Sequence, residues 1–360
     1  MTLIFLALIF ICLPGLSLEK DGFRGDCMSR ESTKAVNGIF VLLVFLRHFK
    51  TYIQPGPADR LFLLFDKGLG QLIVVPFLFF SGYGVMLSIR LRGRSYIRQF
   101  PVRHLLRVWY HFALCVLLYA AAAPLLGKTW PPRQILTALT GWNSIGNSNW
   151  FMFTVFSLYL ITWIFSLLFM QRSSFSPVSS HAPTLVSRTS VFLACSAAGV
   201  LAYMLLMSRL KDTYFYDTAF AWIAGMAFVP GRRRLEAALK KKQQGYVSLL
   251  LCAAAALILF SLLKYFRHSI PADICWSLSF SLLLILFLMK VRVGNRALRY
   301  LGAHAFDIYI LQRLSLAFLS ARIQNTYLLF VSSAAVTLLL AHVFSYIMGK
   351  LDQVLFPAVS

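Results

Sequence analysis

The sequence predicts an all-α, polytopic membrane helix bundle of about ten transmembrane helices, with an extra apolar helix at its N-terminus, and three observations carry this. Of 360 residues, 59% are hydrophobic and only 13% are charged, whereas a soluble domain is nearer half apolar and roughly a quarter charged. Apolar runs long enough, or nearly so, to cross roughly 30 Å of hydrocarbon recur along the chain. The basic residues fall in alternating short loops between those runs, as orientation signals do. The 32 Phe and 7 Trp suit lipid contact and interfacial belts.

The chain opens on apolar residues 1–18, which lack the basic n-region of a secretory signal. Segment 1–27 reads as an extra span, a weak signal sequence, or an extension ahead of a natural start at Met28. The last of these is preferred. Residues 28–350 form a single membrane domain, and 351–360 are a short tail. Spans are expected near 36–53, 70–89, 105–126, 149–170, 190–208, 214–230, 246–264, 271–289, 299–319 and 327–348. The stretches 214–230 and 299–319 carry internal polar residues, and 171–189 is a Ser/Pro-rich linker.

Counting Lys and Arg loop by loop places 23 on one side and 10 on the other, with Arg47 and Arg313 inside spans. This orients both ends of the ten-span core toward the cytoplasm of the inner (plasma) membrane. The net charge of +23 is thereby explained without nucleic acid. The six cysteines are isolated and show no metal or disulfide spacing.

The first span, 34–53, is the organising stretch. It opens with Asn37-Gly38 and carries His48 deep within an apolar run. Their separation of 11 residues, at about 100° and 1.5 Å per residue, puts them on nearly one face and roughly 16 Å apart. An ionisable group at that depth costs a few kcal/mol unless it meets a cavity or a partner. A neutral imidazole can take a proton from a hydroxyl nucleophile. A helix–helix hydrogen bond explains His48 equally well. Arg47 and Lys50 flank it, with Lys50 expected to snorkel outward.

Four further groups follow. Ser81-Gly82 and Gly84 in the second span are small residues suited to helix packing. Arg103 and Arg107, four apart, would share a helix face and could clamp phosphate, or serve only as cytoplasmic anchors, with His111 one turn deeper. Asn149 and Trp150, within 147–151 (NSNWF), offer polar groups beside an aromatic that could line a sugar site or sit in an interfacial belt. Asp307, Gln312 and Arg313 are too polar to face lipid, so they should face the bundle interior or each other. No metal-ligand spacing, phosphate-binding glycine loop or GxSxG elbow is present.

Five phrases in this order resemble those of the integral membrane acyltransferase family of the acyltransferase 3 type, over roughly residues 30–348. They are Asn37-Gly38 followed by His48; Phe79-Phe80-Ser81-Gly82-Tyr83; Arg103-His104-Leu105-Leu106-Arg107 before Trp109-Tyr110; Trp150-Phe151 followed by Tyr159; and Leu301-Gly302 with Phe306, Ile308-Tyr309 and Leu311-Gln312. Asn37 stands where the family usually has Arg or Lys, and Gln312 where a His is common. The resemblance implies an O-acetyltransferase-like enzyme, transferring groups other than amino-acyl groups from acyl-CoA, the donor substrate, to a sugar or cell-envelope glycan. It implies that acyl-CoA meets Arg103 and Arg107 from the cytoplasm, with Asn37 between, and that His48 serves the transfer. Asn149, Trp150, Asp307 and Gln312 are then the acceptor-binding candidates. This chemistry needs His48 to look into a passage that reaches the arginines. The competing reading is a secondary transporter or exporter using His48, Asp307 and Arg313 as a pathway. A catalytically silent sensor or scaffold is a third, prompted by Asn37 and Gln312.

Overall fold

The structure is a computed structural model that describes residues 1–20, 22–170, 183–240 and 243–357. It runs α1 (Thr2–Cys12), β1 (Ser17–Leu18), α2 (Arg30–Lys50), α3 (Arg60–Leu69), α4 (Val75–Phe100), α5 (Arg107–Ala122), α6 (Pro132–Ala138) and α7 (Trp150–Phe169). Then come α8 (Pro183–Leu210), α9 (Phe220–Lys240), α10 (Gln243–Phe266), α11 (Ile270–Lys290), β2 (Val291–Arg292), α12 (Arg296–Ala303), α13 (Ala305–Ser320) and α14 (Thr326–Leu355). The all-α class is as expected. Most of the expected linker lies outside the described residues, as do Lys241, Lys242 and the last residues of the tail.

Among the described residues, 7 helical stretches are long and apolar enough to cross a membrane, consistent with a multi-pass membrane protein but not with ten spans by that measure. The expected run 70–89 and most of 105–126 fall within one helical stretch of 66 residues, Pro57–Ala122. That stretch is folded rather than straight. Gly70 and Gly93 adopt positive φ of 48° and 53°, where a side chain would be strained. The run expected at 214–230 becomes α9, whose second half carries Arg232, Arg233 and Arg234. The run 299–319 breaks at His304 into α12 and α13, of 8 and 16 residues, each shorter than the roughly 20 residues a spanning helix needs.

Described residues ahead of Met28 are built into the bundle. The Met1 amino group lies 2.8 Å from the Asp59 carboxylate, and β1 pairs antiparallel with β2. Buried Arg24 donates to the Val291 carbonyl at 2.8 Å and to the Ser32 hydroxyl at 3.1 Å. A start at Met28, the reading preferred from sequence, would strip these contacts away.

Two backbone-to-backbone seams organise the bundle. A Cβ at Gly38 would overlap the Leu298 carbonyl, and one at Gly302 the Lys34 carbonyl, so α2 and α12 touch directly. A Cβ at Gly82 would overlap the Trp222 carbonyl, and one at Gly225 the Phe79 carbonyl, which joins α4 to α9. Small residues allow such approach where lipid supplies no hydrophobic drive. Trp222 is fully buried between α4, α7 and α9, its Nε1 donating to Thr162 Oγ1 at 2.9 Å.

A charged cluster ties α10 and α11 to the segment before α9. Lys264 ion-pairs with Asp217 and, at 3.0 Å, with Asp273. His268 Nε2 lies 2.9 Å from Asp273, and the Lys264 ammonium is 3.9 Å from the Trp276 ring centroid.

Candidate functional site

His48 faces a cavity. The ring sits in the last turn of α2, where a run of apolar residues holds the helix in place and leaves the imidazole on the wall of a space of about 580 Å³. Arg47 and Gln71 form one side of this space. The segment 142–150 closes a second, and Lys211, Asp212 and Tyr214 a third. Tyr309 and Arg313, four apart on α13, complete it. The His48 and Tyr309 rings are 6.2 Å apart, and the guanidinium groups of Arg313 and Arg47 both act on the imidazole.

Several buried polar atoms of these lining residues have no hydrogen-bond partner: His48 Nδ1, Gln71 Oε1, Asn147 Nδ2 and Arg313 Nε. Buried polar groups are normally paired, so several unpaired ones among the residues of one cavity point to a place for a polar ligand. Asn149 and Trp150, chosen from sequence, do line the cavity. The Asn149 amide is partly committed, donating to the Gly141 carbonyl at 2.9 Å, which shapes the loop. The Trp150 ring packs edge-on against Tyr214 at 5.7 Å. Gln312 is fully buried and acts on the His48 ring from behind without lining the cavity.

Lys50 does not snorkel freely. It shares Asp66 with Arg47, whose Nε lies 2.7 Å from the carboxylate. Lys211 donates to the Trp142 carbonyl at 2.8 Å and lies 3.9 Å from that ring's centroid. Burial there lowers its pKa from the ordinary lysine value, against the opposing pull of Asp212.

The arginines form a second cavity of about 420 Å³, lined by Arg92, Arg103, His104 and Arg107 with Ser81 and Tyr159. The chain over Pro101–Leu106 is a π-helical turn, so Arg103 and Arg107 do not share a face by ordinary α-helical spacing, yet both reach this space. They differ in commitment. Arg103 Nε has no partner, whereas Arg107 Nε donates to Asp352 at 2.6 Å. Asp352 also accepts from the Tyr110 hydroxyl at 2.7 Å and lies 3.0 Å from His111 Nε2. Tyr96 and His104 pair at 2.7 Å, and the Arg92 guanidinium lies 4.6 Å from the Tyr96 ring centroid.

The two cavities share no lining residue. Val74, just ahead of α4, lines the first and Phe80 of α4 the second, a gap of roughly 9 Å at 1.5 Å per residue. Phe77 fills that interval, its ring 6.2 Å from Phe151, which in turn is 5.4 Å from Tyr309. His48 is therefore turned to a cavity rather than to lipid, but an aromatic partition stands between it and the arginines.

Two sequence choices lie elsewhere. Asp307 lines neither cavity; its carboxylate faces His304, 3.8 Å away, and Ser345 of α14. Its offset of five residues from Gln312 turns it about 140° away around the helix. Asn37 lines neither cavity and lies next to the α2–α12 seam, with Oδ1 unpaired. Sequence reasoning missed Arg92, Lys211, Trp142 and Tyr214. The basic loop holding Arg92 was read as an orientation signal, and Trp142-Asn143-Ser144 repeats the amide-and-indole composition noticed only at 147–151. Comparison with known proteins adds no relative: no family model, curated protein or solved structure matches this chain.

Proposed function

We propose that this protein is a multi-pass membrane O-acyltransferase that moves an acetyl or similar group from acyl-CoA to a hydroxyl of a sugar or cell-envelope glycan. The observation that carries the reading is His48, whose imidazole lines a cavity bounded by indoles and amides. Sugars stack on such rings and hydrogen-bond to such amides. The imidazole takes the acceptor hydroxyl proton as the oxygen attacks the thioester carbonyl. The carbon–sulfur bond then breaks, and the leaving thiolate takes the proton back. Arg92 and Arg103 supply positive charge for the donor's phosphates, and Arg107 adds what Asp352 leaves uncompensated. In the orientation that the basic loops suggest, the arginine cavity opens to the cytoplasm and the His48 cavity lies toward the other side. The resemblance to the acyltransferase 3 type supports the reaction class.

The partition constrains this reading. Transfer requires the Phe77, Phe151 and Tyr309 rings to separate so that the thioester end of the donor reaches His48. The same partition favours a second reading, a secondary transporter or exporter, in which two cavities on either side of a closed layer are alternating access points. Reconstituted protein supplied with labelled acetyl-CoA and candidate saccharides separates the two. The transferase reading expects label on the acceptor, lost in His48→Ala. Transfer surviving that substitution removes His48 from the mechanism, and saccharide flux without any acyl donor establishes the transporter instead.

A further inference from the structure

The cavity at His48 holds more positive charge than its acids balance. Arg313 Nε is buried without a partner, and among the described residues no carboxylate lies within ion-pair distance of the Arg313 guanidinium. Lys211 contacts a carbonyl and two aromatic rings, feels the neighbouring Asp212 charge, and among the described residues has no carboxylate within ion-pair distance. Arg47 and Lys50 divide one carboxylate, Asp66, between them. The acid in the lining, Asp212, accepts from the Tyr214 hydroxyl at 2.7 Å. Three lining cations against one lining acid leave a surplus of two charges, and counting Asp66 and Lys50 does not change it. A neutral sugar would cover these cations and leave them desolvated and unmatched, a costly arrangement in a low-dielectric site. An anion placed there removes that cost and gains charge-assisted hydrogen bonds.

Resting on the transferase reading, we propose that the acceptor is anionic: a saccharide whose carboxylate or phosphate is held by Arg313 and Lys211 while its ring packs on Trp142 and Trp150 and a hydroxyl meets His48.

The test measures binding without donor. Protein in lipid nanodiscs is titrated, with tryptophan fluorescence as the readout, against a glucuronate-containing tetrasaccharide, its carboxyl-reduced counterpart, a hexose phosphate, and free coenzyme A. At least one anionic saccharide should bind about tenfold or more tighter than the reduced tetrasaccharide, the equivalent of one good charge-assisted hydrogen bond. Which of the two anionic probes wins identifies carboxylate or phosphate. The preference should weaken with salt, vanish in Arg313→Gln and persist in Arg313→Lys. If Arg313→Gln fails to fold, Lys211→Gln and the salt dependence of the unmodified protein decide. Equal binding of the reduced tetrasaccharide, binding of none of the saccharides, a preference unchanged in Arg313→Gln, or displacement of the saccharide by coenzyme A from this cavity overturns the proposal. Anionic preference without acetyl transfer from labelled acetyl-CoA sinks the transferase reading and leaves the anion site standing. Equal transfer to neutral and anionic acceptors does the reverse.

Discussion

Replacing Lys264 with Met should be among the most destabilising single changes in the bundle. Its ammonium serves Asp217 and Asp273, whose side chains are 1% and 0% exposed. Removing one partner of a buried pair costs about 3–5 kcal/mol, because the other charge is stranded. Two moderating features are visible. Lys264 keeps 19% side-chain exposure, and His268 remains within 2.9 Å of Asp273 to carry part of its charge. Loss of the cation–π contact with Trp276 adds about 0.5–1 kcal/mol. We therefore expect a loss of about 3–4 kcal/mol, near the lower end of the buried-pair range. Denaturant unfolding of detergent-solubilised protein, followed by tryptophan fluorescence, measures it. Adding Asp217→Asn and Asp273→Asn to Lys264→Met should restore most of the loss, since the stranded charges are then gone. A loss under about 1 kcal/mol, or no recovery in the triple variant, would refute the account of Lys264 as the shared counter-ion. Because Asp217 lies on the segment that also carries Lys211 and Tyr214, saccharide binding at the His48 cavity should weaken in parallel.

Three other outcomes are expected. His48→Gln should cut acetyl transfer by about 10²–10⁴-fold, the span of general-base catalysis, while the unfolding midpoint moves only slightly, since the polar side-chain contact at stake is the one with Gln312. Steady-state transfer kinetics and denaturant unfolding check the two halves. Arg103→Gln should raise the donor KM with little loss of stability, whereas Arg107→Gln should cost about 2–3 kcal/mol by stranding Asp352, which keeps only Tyr110 and His111; donor titrations and melting curves distinguish them. Gly302→Ala should destabilise by about 1–3 kcal/mol through overlap with the Lys34 carbonyl, while Gly84→Ala, with nothing within 4 Å of the added methyl, should be neutral or slightly stabilising in thermal melts.

How much could be read in advance differs by feature. His48 was legible because an ionisable group deep in an apolar run must find a cavity or a partner, whereas at Asn149 and Trp150 an interfacial belt explained the aromatic as well as a sugar site did. The number of crossing helices was less legible. Hydropathy does not register that Gly93 folds a continuous helical stretch or that His304 interrupts another, since both are matters of backbone angle. Asp307 and Gln312 were grouped because both are polar within one span, but a shared helix is not a shared face. Spacing brought Arg103 and Arg107 together for a reason the π-helical turn invalidates, although both reach the same cavity. Asp352, which takes up Arg107, is distant in sequence and carries no local signal.

The glycine contacts bear on how the two cavities could communicate. Through Gly38 and Gly302, the helix bearing His48 is welded to α12, which leads into Tyr309 and Arg313 on α13; through Gly82 and Gly225, the helix bearing Phe77 is welded to α9. The aromatic partition thus lies where two closely packed helix blocks meet, one contributing Tyr309 and the other Phe77. Opening it is a change of angle between blocks rather than the flapping of a loop, so a cross-link within either block should be harmless and one bridging them should lock the passage shut.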